Sequence, residues 1–125
     1  MSLNLKLVAI TLDCADPLAL AAFYQQATGF DLHPKSDAEF AGLNREDGLF
    51  LGFQRVDAYR PPRWPGQTDP QQLHLCFDVP DLPEAEAGLL ELGAGKPEFQ
   101  PHDPAKAVVL TDPAGHPFCI CQARG

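Results

Sequence analysis

The chain has 125 residues, enough for one domain, and 45% of it is hydrophobic, too much for a disordered polymer. Nine basic residues against 17 acidic ones leave a net charge of −8. That balance excludes nucleic acid and anionic membrane surfaces as partners, because both demand concentrated positive charge. Thirteen prolines, about twice the usual share, are the one compositional outlier.

The first residues lack the basic-then-apolar layout of a secretory signal, and no apolar run is long enough to span a bilayer, so a cytoplasmic location is expected. Cys14, Cys76, Cys119 and Cys121 are even in number, but three of them lie in strand-like runs without a cysteine-rich loop framework. Reduced thiols are therefore expected rather than disulfides.

Taken in order, Leu7–Leu12 is short, apolar and β-branched, and reads as a strand. Asp16-Pro17 supplies an N-cap and a proline at the first helical position. Leu20, Phe23, Tyr24 and Ala27 then fall on one helical face, and Gly29 marks the C-cap. Two strands follow, around Glu39–Asn44 and Leu49–Arg55, split by the turn signal Asp47-Gly48. Residues 55–72 form a long strap with four prolines, three arginines (Arg55, Arg60, Arg63), Tyr59 and the sole tryptophan, Trp64.

Beyond the strap the pattern restarts. Leu73–Val79 is strand-like, Asp81 with Glu84 forms a capping box, and Ala85, Leu89 and Leu92 make a helical stripe ended by Gly93. A strand near Glu98–Pro101 is expected before Ala107–Thr111, the turn Asp112-Pro113-Ala114-Gly115 and a last strand over His116–Gln122. Leu12–Asp16 aligns with Phe77–Asp81 at an offset of 65, and Phe50–Gln54 with Phe118–Gln122 at an offset of 68. The chain therefore reads as two copies of a β-α-β-β-β unit, module one over about 5–55 and module two over about 73–123, joined by a strap at 56–72.

Three segments in this order carry a family resemblance: Asp16-x6-Phe23-Tyr24-x4-Gly29-Phe30, Leu73-His74-Leu75-x-Phe77-x-Val79-x-Asp81-Leu82, and Asp112-Pro113-x-Gly115-x-Pro117-Phe118-Cys119. Together they resemble the vicinal oxygen chelate superfamily, which contains glyoxalase, bleomycin-resistance protein and extradiol dioxygenase, and within it the small glyoxalase-like domain proteins. The resemblance implies an α+β fold in which two βαβββ modules form a half-open, barrel-like curved sheet with helices outside. It also implies a divalent metal held by two residues per module, one on the first strand and one on the last, that stabilises a developing oxyanion.

The four implied ligand positions are only partly filled by donors. Counting back seven residues from each capping Asp gives His74 in module two but Ala9, without a donor atom, in module one. The last-strand position falls on Cys119 in module two and on Leu51 or Gly52 in module one. One imidazole and one thiol are too few for the family's centre, so no cofactor is expected; a divalent metal enters only through alternatives. One alternative follows from strand alternation, which puts His74 with Cys76, and Cys119 with Cys121, on common faces; if those faces meet, a His-Cys-Cys-Cys zinc site results. The other reading packs these thiols as small apolar side chains.

The function expected is that of a glyoxalase/bleomycin-resistance-like protein with an incomplete metal site, binding a small molecule in the pocket. Candidate ligand-binding residues are His74, Cys76, Phe53, Trp64, Arg63, Cys119 and Cys121. The competing class is an enzyme: a metal-dependent lyase or dioxygenase with non-standard ligands, or a metal-free catalyst with His74 as general base. The strap offers Arg and aromatic side chains for an anionic or aromatic ligand, or else lies at the surface or at a subunit interface. Expected partners are a small-molecule ligand and a second copy of the chain in a two-fold homodimer.

Overall fold

A computed structural model describes residues 2–124 of the chain. They divide into two units, residues 1–59 and residues 60–125, each with its own sheet and helix. The fold is α+β.

In the first unit the order is β1 (Ala9–Cys14), α1 (Pro17–Thr28), β2 (Asp31–Leu32), β3 (Phe40–Asn44) and β4 (Phe50–Arg55). The sheet order is β1-β4-β3-β2, with β1 parallel to β4 and the remaining pairs antiparallel. Helix α1 begins where Asp16 accepts a hydrogen bond from the Ala19 N–H at 3.2 Å, with Pro17 at the position whose own N–H is not required. It ends at Gly29, whose φ of +79° is a left-handed cap that a Cβ would strain. Its buried face (Leu20, Ala21, Phe23 and Tyr24) meets Leu12, Ala41, Leu43, Leu51 and Phe53 of the strands. Tyr24 stacks on Phe53, ring centres 5.7 Å apart. Burying such a ring stabilises a core by about 3 kcal/mol.

In the second unit the order is β5 (Leu75–Val79), α2 (Leu82–Glu91), β6 (Ala107–Thr111) and β7 (Pro117–Gln122), and the sheet runs β5-β7-β6. Asp81 caps α2 by accepting from the Glu84 N–H at 3.0 Å. Gln122, at the end of β7, ties the β5–α2 junction down by accepting from the Leu82 N–H at 2.9 Å and donating to the Pro80 carbonyl at 2.7 Å. The buried core of this unit includes Leu82, Val108, Val109, Leu110, Phe118, Cys119 and Ile120.

The sequence expectations hold for both helices and for most strands, with three differences. The first strand of each unit starts two residues later than expected, and β1 runs through Cys14. A two-residue strand, β2, has no signature of its own, since Asp31 and Leu32 are both exposed. The strand expected over Glu98–Pro101 does not form. Its backbone is replaced by a side chain: Gln100 accepts from the Val109 N–H at 2.9 Å and donates to the Val109 carbonyl at 2.8 Å. The amide group thus makes the two bonds that a neighbouring strand residue would make. Backbone pairing on that edge, among the described residues, is the single bridge between Gly95 and Thr111. Module two is a βαββ unit edged by a side chain rather than a second complete βαβββ unit.

Candidate functional site

Strand register decides which side chains share a surface. On β5, Leu75, Phe77 and Val79 are half-buried, whereas Cys76 and Asp78 are exposed on the other face. His74, one residue before the strand begins, follows the same alternation and is exposed. The parallel pairing sets Cys76 opposite Cys119 and Asp78 opposite Cys121, and β6 sets Val109 beside Cys119. Away from the helix, the sheet of the second unit therefore carries a line of sulfur and imidazole. The donor atoms of His74, Cys76 and Cys119 all lie within 4.8 Å of one another.

Cys121 shares this face but stands outside that group. The register sets Cys121 opposite Asp78 rather than Cys76, one alternation further from His74. The four-residue set read from alternation thus becomes three in the structure, as far as the described residues go.

The environment keeps these sulfurs protonated. Burial, and after it the neighbouring Cys76, pushes the Cys119 thiol up to about 11. Burial, then Cys76 and Asp78, also raises the Cys121 thiol. Neither supplies a thiolate nucleophile near neutral pH. All four cysteines carry thiols.

Beside the trio lies a cavity of about 190 Å³, lined by Trp64, Gln71, His74, Pro101, His102, Val109, Pro117, Phe118 and Cys119. Every one of these residues belongs to the second unit. Trp64 is held against Phe99, ring centres 5.5 Å apart. The walls are largely apolar, and one lining residue, Gln71, has a buried Oε1 with no hydrogen-bond partner among the described residues. A buried amide oxygen left unsatisfied costs roughly 1–3 kcal/mol, a cost that a donor brought within reach of it would relieve.

The strap folds around Asp69. Its half-buried carboxylate pairs with Arg60 at 2.8 Å and Arg63 at 3.4 Å, and its carbonyl accepts from the Arg63 N–H at 2.7 Å. Arg55 reaches instead to Asp57 at 2.8 Å and Glu39 at 3.6 Å. Of the seven candidate ligand-binding residues, His74, Trp64 and Cys119 line the cavity and Cys76 adjoins it through Cys119. Cys121 is one step further along β7, and Arg63 is engaged by Asp69. Phe53 lies in the core of the first unit, beneath Tyr24. Two further cavity residues were not among the sequence candidates: Gln71, and His102, which sits beside a proline, reads from the sequence as solvent-facing and is indeed exposed at the cavity's edge. Both lie in irregular segments where no periodicity marks a face, and Gln71 had only its place at the end of the proline-rich strap to recommend it.

A family model described as a glyoxalase-like domain matches residues 9–121. The chain belongs to the glyoxalase-like domain family. Solved structures of the wider glyoxalase, bleomycin-resistance and dioxygenase superfamily share its fold. A possible glyoxalase from Bacillus cereus aligns with a TM-score of 0.70 at 17% identity, over 94% of this chain and 99% of that one. A glyoxalase/bleomycin resistance protein/dioxygenase family enzyme from Burkholderia phytofirmans PsJN aligns with a TM-score of 0.67 at 25% identity, over 96% and 100%. The fosfomycin resistance protein FosX of Listeria monocytogenes, as an E126Q mutant complexed with Mn(II) and 1S,2S-dihydroxypropylphosphonic acid, gives 0.71 at 17%, over 99% and 93%. No curated protein matches the chain.

The residues present do not fit the metal arrangement that the superfamily resemblance implies. In the first unit β1 pairs with β4 so that Thr11 faces Gly52, as Cys76 faces Cys119 in the second, which makes Gly52 the counterpart of Cys119. Neither Ala9 nor Gly52 offers a donor atom. A Cβ built on Gly52 would lie 2.9 Å from the Phe40 ring, 3.0 Å from Thr11 Oγ1 and 3.1 Å from the Phe50 ring. The Phe40 and Phe50 rings, stacked at 6.1 Å, therefore cover the strand where a ligand side chain would rise. A centre drawing two ligands from each module is not available to this chain.

Proposed function

We propose that this protein binds a small, single-ring molecule in the cavity of its second unit. The observation that carries this reading is a largely apolar cavity with Gln71 in its lining, a residue whose buried Oε1 has no hydrogen-bond partner among the described residues. Such a pocket pairs apolar walls with one polar atom that fixes orientation. A volume near 190 Å³ is small beside the roughly 300–1,000 Å³ of sites for drug-sized ligands. An apolar cavity of about 150 Å³ already accommodates benzene, so one ring with a few substituents is the matching size. Trp64 and the proline walls suit a flat face, and Gln71 suits an N–H or O–H at the ring's edge.

The test uses chelator-treated protein and a library of monocyclic aromatic and heteroaromatic compounds bearing amide, phenol or carboxylic groups. Trp64, the sole tryptophan, reports binding through its fluorescence, and thermal shift reports it independently. At least one compound is expected to move both signals, and Gln71→Leu is expected to weaken that compound about tenfold or more. No response from any compound would refute the reading.

A second reading, metal-free catalysis, draws on His74 and His102 lining the same cavity, which gives two imidazoles as proton donor or acceptor. Mass spectrometry of each bound compound after incubation distinguishes turnover from binding.

A further inference from the structure

The sulfur-rich trio on the open face of the second unit forms a set of its own. We propose that His74, Cys76 and Cys119 bind a thiophilic d10 cation, of which zinc is the representative, at a three-ligand site contained entirely within the second unit. This goes beyond the small-molecule reading and differs from the superfamily arrangement in its donors. It takes nothing from the first unit, where Ala9 and Gly52 have nothing to give, and it depends on Cys76, which lies outside the four positions that arrangement uses.

Three observations carry it. The first is proximity: the three donor atoms lie within 4.8 Å of one another. With zinc–sulfur bonds near 2.3 Å and zinc–nitrogen bonds near 2.0–2.1 Å, donors in a tetrahedral site stand about 3.6–3.8 Å apart. Rotamer adjustments that close a gap by no more than about 1 Å complete the set.

The second is rigidity. Cys76 and Cys119 are directly opposed residues of a parallel β-pair, with Cys119 on the central strand of the sheet. Their Cβ positions are fixed by the backbone ladder, so little ordering is left for the cation to impose. The third is access. His74 and Cys76 are exposed while Cys119 is buried, only 6% exposed, an arrangement with an open side for entry and a closed floor.

The chemistry selects the ion. Two thiolates and one imidazole are soft donors that favour zinc or copper(I) over magnesium, calcium or manganese, which prefer oxygen. On binding, both thiols release their protons to water, and the dication with two thiolates leaves the site neutral. Three protein ligands leave a fourth position free, the pattern of open rather than closed zinc sites. Because His74 and Cys119 also line the cavity, a cation held here sits in its wall.

The experiment is a titration of the chelator-treated, reduced full-length protein with Zn²⁺ and with Co²⁺, and no small molecule present. One equivalent per chain is expected, and the cobalt form should show a sulfur-to-cobalt charge-transfer band together with tetrahedral d–d bands. Cys76→Ser should weaken binding by more than the 10–100-fold that loss of a merely supporting residue costs, and abolish half of the charge-transfer intensity. Cys121→Ser should keep both stoichiometry and spectrum. Circular dichroism of each variant separates loss of the site from loss of the fold.

Absence of a charge-transfer band in the wild-type protein, or binding unchanged in Cys76→Ser, would overturn the proposal. Loss of binding in Cys121→Ser alone would overturn the three-residue assignment. Since cavity binding is tested without metal and metal binding without ligand, either idea can fail while the other stands.

Discussion

Replacing Gln100 with alanine removes the side chain that edges β6 in place of a strand. Val109 is 3% exposed, and both its N–H and its carbonyl are bonded to the Gln100 amide. Two neutral hydrogen bonds are worth about 1 kcal/mol each, and a buried N–H left without a partner costs roughly 1–3 kcal/mol. The expected loss is therefore about 2–3 kcal/mol, a large share of the roughly 5–15 kcal/mol that holds a small domain together. Urea denaturation at neutral pH measures it, and hydrogen exchange at the Val109 amide locates it.

Gln100→Glu provides the chemical control. Its carboxylate can still accept from the Val109 N–H but cannot donate to the Val109 or Pro97 carbonyls, which the native amide does at 2.8 and 3.0 Å. The variant should be less stable than the parent at pH 7 and should recover as pH falls and the carboxyl gains a proton to donate. A Gln100→Ala protein within 0.5 kcal/mol of the parent, with Val109 exchange unchanged, would refute the claim that this side chain substitutes for a strand.

Three further outcomes are expected. Mass spectrometry after limited alkylation at pH 7.5 should find Cys76 modified first and Cys119 last of the β5–β7 thiols, because Cys76 is exposed whereas Cys119 is buried with its thiol held up at about 11. The same raised value makes stability fall from about pH 9 towards pH 11: the unfolded thiol ionises first, so the unfolded state binds fewer protons across that window, and below pH 9 the effect vanishes. Denaturation midpoints of the parent and Cys119→Ala across pH 8–11 check this, the variant having the shallower decline. Gly42→Ala should destabilise the first unit by roughly 1–3 kcal/mol, since its Cβ would stand 1.9 Å from the end of the Phe50 ring, and Phe50→Leu in the same protein should recover part of the loss.

What the residues disclosed depended on how local the cause was. The caps were legible because Asp16 and Asp81 act on backbone groups three residues away, and the glycine at 29 answers to one φ angle. The grouping of Cys76 with Cys119 was legible as a possibility of strand alternation, yet only the register, Cys76 opposite Cys119, removes Cys121 from it. Register likewise settles Gly52 over Leu51 as the counterpart of Cys119, a choice that the internal repeat left open. The Gln100 edge was not legible, because a side chain that mimics a backbone leaves no periodic trace. Gln71 escaped, and His102 was legible only as an exposed loop residue, for a related reason: both are brought to the cavity by irregular chain, where long-range contacts alone decide position.

The strap shows the same limit from another side. Its arginines and tryptophan were read together as one adhesive surface, but their partners separate them. Asp69 pairs with both Arg60 and Arg63, while Trp64 turns to Phe99 and the cavity. Charge pairing at the surface contributes little stability, so the arginines serve mainly to order the loop that carries Trp64 and Gln71.

The most direct measurement is a fluorescence titration of chelator-treated protein and its Gln71→Leu variant with single-ring compounds bearing a hydrogen-bond donor. The expected result is a saturable change in Trp64 emission that weakens about tenfold or more when Gln71 is lost. Tight binding that leaves Trp64 unmoved and is indifferent to Gln71, or no binding by any such compound, would contradict a ligand site in the cavity of the second unit.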